Sequence, residues 1–308
     1  MIALEEDSFS GELALRCLIG TPLKRFQSPI TPSELIAELS GRPKAVAEER
    51  SSPHADLLFV NHSGEHVEAS ILISLYNYGD QIETALDSCA SQTLSALELI
   101  VVDDASTDHS VDTTRNWLQQ HASRFSHVQL LRHRINTGLA AARNTAFSAA
   151  SSQWAFVLDA DNMLFPAAVE ACLEQALAAD SAVAVIHPWI EVIGDGSNGH
   201  DGRSLISRLS WRREAFRNGN ILDAMALIRC SAWQSVAGYS HIEGGWEDFD
   251  FWCKLIDAGF HGLLCPRVLA RYHTHASSMT ANFTVSHWRQ LSRCLQERHP
   301  WLNLPYAR

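Results

Sequence analysis

The chain has 308 residues, with 24 Lys and Arg against 35 Asp and Glu and a formal net charge of -11. That length suits one large domain or one and a half, and 46% hydrophobic with 19% charged residues marks a folded chain with a real core, not a disordered one. The acidic balance, without a Lys/Arg patch, excludes a nucleic-acid surface but allows a small anionic ligand held by a metal and a few local cations.

Residues 1–66 are rich in Ser, Pro and charge and show no alternation of strand and helix. One helix is signalled there. Thr31 is its cap, Pro32 lies in the first turn and Glu34 closes a capping box; Leu35, Ile36 and Leu39 share a face before Gly41 and Pro43 stop it. We read this stretch as an N-terminal, mainly helical extension, packed on the domain or used for a partner. Its sequence names no chemistry. The first residues lack the basic region and apolar core of a signal peptide, and no apolar run approaches the ~18 residues of a membrane span. The seven cysteines are odd in number, without Cys-x-x-Cys spacing or clustering with His, which fits a reducing compartment. A cytoplasmic protein with no integral membrane segment is expected; peripheral membrane association stays open.

From Glu68 strand and helix alternate. Strands are predicted at 69–75, 97–102, 128–131 and 154–158, followed by helices near 81–91, from about 110 to 122, after Thr137 and after Pro166. This is the pattern of βαβ units on a parallel sheet with right-handed crossovers. After an apolar stretch at 182–190 comes a glycine-rich polar loop at 194–202, either a flap or a surface excursion. A strand at 224–228, a helix at 247–258, a strand around 268–272 and a terminal helix near 285–297 complete the reading. We divide the chain into an extension (1–66), one domain (67–300, in halves 67–165 and 166–300) and a tail (301–308).

Polar side chains gather where the strands end. After the first come Tyr76 and Asn77, an aromatic ring and an amide suited to a flat base or to loop packing. After the second comes Val101-Val102-Asp103-Asp104-Ala105-Ser106-Thr107-Asp108, where Ser106 or Asp108 suits a helix cap but the double aspartate does not. The third run, Arg134 to Asn144, holds Asn136 and Gly138 as turn residues and Arg143 facing either solvent or a pocket. The fourth is the centre of the chain: the apolar run Trp154-Ala155-Phe156-Val157-Leu158 stops at Asp159-Ala160-Asp161-Asn162. A buried parallel strand would deliver these carboxylates to the sheet edge where open α/β sheets bind ligands. Paired carboxylates are costly to desolvate unless a cation joins them, and a divalent ion carrying substrate phosphates is the usual guest.

With these motifs in order, the chain resembles the family-2 glycosyltransferases of the GT-A type. The resemblance spans about residues 68–280 and rests on 73–77, 101–108, 136–144, 159–162, Gly238-Tyr239, Trp246-Glu247-Asp248 and 271–280. It implies an α/β, GT-A, mixed and mostly parallel sheet flanked by helices, whose first half grips a nucleotide-diphosphate sugar and whose second half takes the acceptor. By that likeness Tyr76 and Asn77 lie beside the base, Asp104 reads a base N–H, and Asn136, Gly138 and Arg143 complete the nucleotide side. Asp159 approaches the ribose, Asp161 holds Mn²⁺ or Mg²⁺ on the diphosphate, and His275 touches metal or diphosphate. Uridine is the base it suggests. A cation there neutralises charge building on the leaving group.

The resemblance also places a catalytic base in Glu247-Asp248, which would take the proton of an acceptor hydroxyl as it displaces the nucleotide with inversion. Asp248 is the favoured base and Glu247 its orienting neighbour; the sequence leaves the choice open, and both acids also suit the positive start of a helix. Trp246 suits a sugar face or a core equally. Gln290-Leu291-Ser292-Arg293-Cys294 begins like the Gln-x-x-Arg-Trp signature of processive synthases but lacks the Trp, so transfer of single sugars is expected. The acceptor, whether glycan, lipid-linked or protein, is not legible. A nucleotidyltransferase is the alternative enzyme, though 75–79 offers no phosphate-binding cation. A catalytically lapsed nucleotide-sugar-binding scaffold is the alternative outside enzymes.

Overall fold

The computed structural model describes residues 53–63, 66–194, 203–274 and 285–305, with three two-residue strands, Ala14–Leu15, Lys24–Arg25 and Ala47–Glu48, ahead of them. The helix expected at 31–41, most of the glycine-rich loop and the run 275–280, with His275, lie outside the described residues.

In chain order the main elements are β1 (Ala55–His62), β2 (Ala69–Leu75), α1 (Ile82–Ala90), β3 (Leu97–Asp103), α2 (Ser110–His121), β4 (His127–His133), α3 (Leu139–Ala149), β5 (Trp154–Asp159), β6 (Met163–Leu164) and α4 (Ala168–Ala178). There follow β7 (Val183–Gly194), β8 (Arg203–Ile206), α5 (Arg213–Phe216), β9 (Leu227–Arg229), α6 (Cys230–Ser235), β10 (His241–Ile242), α7 (Glu247–Asp257), β11 (His261–Thr274) and α8 (Val285–Arg298). They build a mixed sheet in the order β1-β4-β3-β2-β5-β9-β7-β11-β6, with β8 on β7. The quartet β4-β3-β2-β5 is parallel, and β9 then pairs antiparallel to β5.

The parallel strands read as unbroken apolar runs because both faces are covered. Ile71, Ile73 and Leu75 of β2 pack with Leu99, Val101, Phe156 and Leu158 beneath α1, α2 and α4. Leu72, Ile100, Val102 and Val157, the alternate residues, pack beneath α3, α7 and α8. Each such side chain, fully buried, contributes about 1.5–3 kcal/mol.

Three expectations need correction. Residues 55–62 do not belong to an extension: β1 pairs antiparallel with β4 and forms an edge of the sheet, so the division at 66/67 falls within the sheet. Edge strands lack the continuous apolar run of buried ones; Leu57 and Val60 are about half exposed, which hid the pattern. The first residues of the tail continue the domain, because Leu302 and Leu304 are buried and Trp301 donates to Asp257 at 2.8 Å. The strand expected at 224–228 is shorter, starting at Leu227, because Asn220 and Asp223 accept from the backbone N–H groups of Leu222 and Met225 and form turns instead.

The start of α7 is fixed from behind. Asp250 is fully buried and bound by Arg298 Nε at 2.6 Å and His299 Nε2 at 3.1 Å, while His299 Nδ1 meets Asp257 at 2.6 Å. Burial raises the Asp250 carboxyl, but these partners outweigh it and hold it below the usual range. The preceding turn needs its glycine. Gly238 has φ +66°, and Asn144 clasps the next residue through Tyr239 N and O, both at 2.8 Å. A Cβ at 238 would collide with Asn144 Oδ1 and lie 2.7 Å from Trp233 Nε1. Gly238→Ala is therefore expected to cost about 2 kcal/mol and to lower the unfolding midpoint by about 4–8 °C in a thermal melt.

Candidate active site

The chain runs from β2 outward through β3 to β4, then returns through α3 to place β5 on the other side of β2. Ligands of open α/β sheets bind outside the carboxyl ends of the strands at such a reversal. Here Ser74 of β2 stands level with Asp159 of β5. A cavity of about 780 Å³ opens above them, bounded by Arg143, Asp159, Asp161, Asp223 and Asp248 among others. A second, of about 660 Å³, is bounded by Tyr76, Asn77, Asp104, Asn136 and Gly138. They share Ser74, Tyr78, Leu139 and Glu247, so the two form one trough.

On the smaller side the expected nucleotide residues come together, but several are committed to the protein. Asn77 sits at φ 57°, accepts from Thr107 N at 2.8 Å and donates from its own backbone N–H to Ser106 Oγ at 3.0 Å, so it shapes the loop. Asp104 accepts from Thr137 N at 3.0 Å, Gly138 N at 2.7 Å and Thr137 Oγ1 at 3.0 Å, and it meets His133 Nδ1 at 2.6 Å. Its carboxylate thus closes the positive start of α3, while Asn136 Nδ2 donates to its backbone carbonyl at 3.1 Å. Tyr76 is 43% exposed and lines the smaller cavity. Asp108, read as a cap, accepts from Ser110 N at 2.9 Å and Gly79 N at 3.0 Å, binding α2 to the turn after β2.

The larger side is organised by Arg143, which faces the pocket. It is 3% exposed and donates from Nη1 to Glu247 Oε1 at 2.7 Å and from Nη2 to Asp159 Oδ1 at 2.8 Å. Burial works against its charge, but the two carboxylates outweigh burial and hold the guanidinium above its usual pKa. One buried cation therefore joins the end of β5 to the start of α7. Asp248, the next residue on α7, has no such partner among the described residues: Asn220 Nδ2 donates to its Oδ2 at 2.9 Å and Phe249 N to its Oδ1 at 2.7 Å. Burial first, then the Glu247 charge, push its carboxyl up to about 7 against the pull of Arg143. Gly244, Gly245 and Trp246 all take positive φ, which turns the chain sharply from β10 into α7 and aims its first residues into the trough. Trp246 lies edge-on to Phe249, 5.9 Å between centroids, and also lines the larger cavity.

Asp161 lines that cavity beside Tyr78, whose phenol is pushed up by burial and by the Asp161 charge and hydrogen bond. Behind it, Asn162 Oδ1 accepts from His273 N at 2.9 Å, and His273 Nδ1 meets the Asp161 carbonyl at 2.9 Å. A carbonyl only accepts, so Nδ1 carries a proton. Arg271 is paired with Glu191 at 2.9 Å. Among the described residues no three His, Cys, Asp or Glu side chains gather to hold a metal ion by themselves. The donor set does fit a hard cation that takes one or two carboxylates here and the rest of its oxygens from a diphosphate.

Sequence reasoning missed Tyr78, Asn220 and Asp223. Tyr78 follows the quoted Tyr76-Asn77 directly and was within reach; Asn220 and Asp223 sit in a turn with no periodic signal, and only the tertiary fold carries them to Asp248 and the cavity.

The family model described as "Glycosyl transferase family 2" matches residues 70–236. Among curated proteins, the "Uncharacterized glycosyltransferase YibD" of Escherichia coli (strain K12) is 37% identical over 115 residues, 37% of this chain and 32% of that protein. The "Chondroitin synthase" of Escherichia coli is 28% identical over 193 residues, 62% of this chain and 26% of that protein. The matched stretch thus spans a third or less of these relatives. Among solved structures, S. aureus TarS 1-349 in complex with UDP-GlcNAc aligns with TM-score 0.57 and 17% identity, over 78% of this chain and 69% of that one. The mannosyltransferase PcManGT from Pyrobaculum calidifontis, in complex with GDP-Man and Mn2+, aligns with TM-score 0.54 and 18% identity, over 85% and 68%. At these identities the structures establish a shared fold.

Proposed function

The chain belongs to glycosyl transferase family 2, and from that premise we propose that it moves a single sugar from a nucleotide-diphosphate sugar, a UDP-sugar first, to an acceptor hydroxyl with inversion. The observation that carries this reading is the division of carboxylates around Arg143. Glu247 and Asp159 each hold one nitrogen of the guanidinium in an ion pair, whereas Asp248, one residue along and in no ion pair among the described residues, has its carboxyl raised to about 7 beside the same cavity. A carboxylate in an ion pair is a poor base; one whose pKa lies near the operating pH is a good one. Asp248 is accordingly the base, with its two oxygens oriented by Asn220 and the helix N–H, and Glu247 is its fixed neighbour.

The smaller cavity takes the base and ribose, with Tyr76 against the ring and Asn77, Asp104, Asn136 and Gly138 forming the wall. Asp159 steadies the ribose from its ion pair with Arg143. Asp161, with His275 by resemblance, would hold Mn²⁺ or Mg²⁺. When bound, that ion supplies Lewis-acid neutralisation of the leaving diphosphate. The solved neighbours bound to UDP-GlcNAc, and to GDP-Man with Mn2+, support a donor of this class. The chondroitin synthase relative favours glycan or polysaccharide assembly as the setting. No helix among the described residues is long and apolar enough to cross a membrane.

A thermal-shift panel of nucleotide sugars with and without Mn²⁺ tests the donor class. A ligand at 100 times its Kd stabilises the folded state by about 2.7 kcal/mol, a shift easily read. Stabilisation by at least one nucleotide sugar, lost with Asp161→Asn, is expected; a flat panel would reject the reading. The pH profile tests the base. Asp248 acts when deprotonated and its pKa is raised to about 7, so turnover should rise about tenfold per pH unit below 7 and level off above it. A profile already flat at pH 5 would rule out this carboxyl as the base.

A further inference from the structure

The larger cavity holds one carboxylate to which nothing above gives a role. Asp223 lies in the turn ahead of β9. Its backbone N–H donates to Ser207 Oγ at 2.9 Å, and its Oδ1 accepts from Met225 N at 3.0 Å. Ser207 is itself held at φ 56°, a conformation costly for a side-chain-bearing residue, so the contact that seats Asp223 is built at some expense. Among the described residues no cation pairs with Asp223, in contrast to Asp159 and Glu247. Its Oδ2 has no protein donor among them either.

Position narrows what this oxygen can meet. Asp223 lines the larger cavity and not the smaller one, which excludes the base. Its charge interacts with those of Asp159, Arg143, Asp161 and Asp248. It therefore shares the larger cavity with the carboxylate assigned to the diphosphate end and with the assigned base. A donor whose diphosphate lies at Asp161 and whose anomeric carbon faces Asp248 must lay its sugar ring within that cavity. Burial first, then the Asp159 charge, push the Asp223 carboxyl up to about 7; ionised above that pH it accepts hydrogen bonds and donates none, so its natural ligand there is an O–H. We propose that Asp223 is a specificity-determining residue that accepts a hydrogen bond from a ring hydroxyl of the donor sugar.

This rests on the glycosyltransferase reading above and adds the group that distinguishes one sugar from another. Truncating Asp223 should cost most for the sugar whose hydroxyl it reads. It should cost little for an analogue lacking that hydroxyl, because a hydrogen bond to a charged group is worth about 10- to 100-fold only when both partners are present.

The test uses the full chain in Mn²⁺ without acceptor, so that acceptor hydroxyls play no part. Its probes are UDP, GDP, the nucleotide sugar that the wild type hydrolyses fastest from a panel of UDP-sugars and GDP-mannose, and the deoxy analogues of that sugar at each ring position. Expected are UDP or GDP affinities within twofold of wild type for Asp223→Asn and Asp223→Ala. The kcat/KM for hydrolysis should fall at least tenfold. One deoxy analogue should lose 10- to 100-fold on the wild type but under threefold on Asp223→Ala. Nucleoside diphosphate affinity that falls in step, hydrolysis left at the wild-type rate, or deoxy penalties unchanged in Asp223→Ala would each overturn the assignment. Asp223→Asn keeps the side-chain volume, and its melting curve separates misfolding from loss of the hydroxyl contact. If the wild type binds neither nucleoside diphosphate and hydrolyses no sugar nucleotide, the glycosyltransferase reading itself fails, which is a different result from any of these.

Discussion

Asp248→Asn is expected to lower turnover by about a thousandfold while leaving donor affinity within twofold of wild type, as general-base removal typically costs 10²–10⁴. The substitution is nearly isosteric and keeps one oxygen to accept from Phe249 N, while an NH2 replaces the oxygen that accepted from Asn220 Nδ2. It removes the basic carboxylate and one of its two hydrogen bonds. Stability separates this outcome from misfolding. The Asp248 carboxyl is held up to about 7, so ionising it in place is unfavourable, and the neutral amide should melt at or above the wild-type temperature at pH 8. The sign follows from a folded pKa above the unfolded one, which makes the carboxyl a stabilising group at low pH and a destabilising one as pH rises through about 7. Turnover and donor dissociation constants, measured with a melt of the same sample, check all three parts. Wild-type turnover would remove Asp248 as base and turn attention to Glu247.

Arg143→Met should have the largest effect on folding, about 3 kcal/mol, because removing one partner of a buried ion pair leaves uncompensated charge. The guanidinium is 3% exposed and Glu247 is 6% exposed, while the Asp159 side chain, at 24%, can recover some hydration. The midpoint should fall by about 6–12 °C. Lysine should rescue little, since a single ammonium cannot span two carboxylates that take separate guanidinium nitrogens. Adding Glu247→Gln to Arg143→Met should restore part of the loss, and the coupling read from that double-mutant cycle measures the pair. Chemical denaturation of the four proteins suffices; an Arg143→Met protein as stable as wild type would refute the central role given to the guanidinium.

Much of the donor half was legible because its strands are buried on both faces, so β2, β3 and β5 announce themselves as apolar runs that stop at polar residues. The carboxylates Asp159 and Asp161 stood out for the same reason, whereas Glu247-Asp248 were singled out by resemblance alone. What sequence could not supply was orientation. Arg143 read equally as a surface or pocket residue until the folded chain brought Glu247, more than a hundred positions away, onto its other nitrogen. Asp104 was expected to read a base, and its carboxylate is also bound by the N–H groups of Thr137 and Gly138 ahead of α3; a charge and a helix start adjacent in space were 34 residues apart in sequence. β1 lacked the contrast of a buried strand, and Asn220 and Asp223 occupy a turn whose local pattern says only that the chain bends. Periodicity reports which face is buried, and active sites are assembled from residues off that face.

The most direct test of sugar transfer by single displacement is the anomeric configuration of the sugar first released. Hydrolysis of an α-linked UDP-sugar in Mn²⁺, followed by proton NMR from the first minutes, uses water in place of the unknown acceptor. Inversion through Asp248 predicts that the β-anomer appears first and equilibrates slowly to the mixture. The α-anomer appearing first, or no release of sugar from any donor that binds, would contradict it.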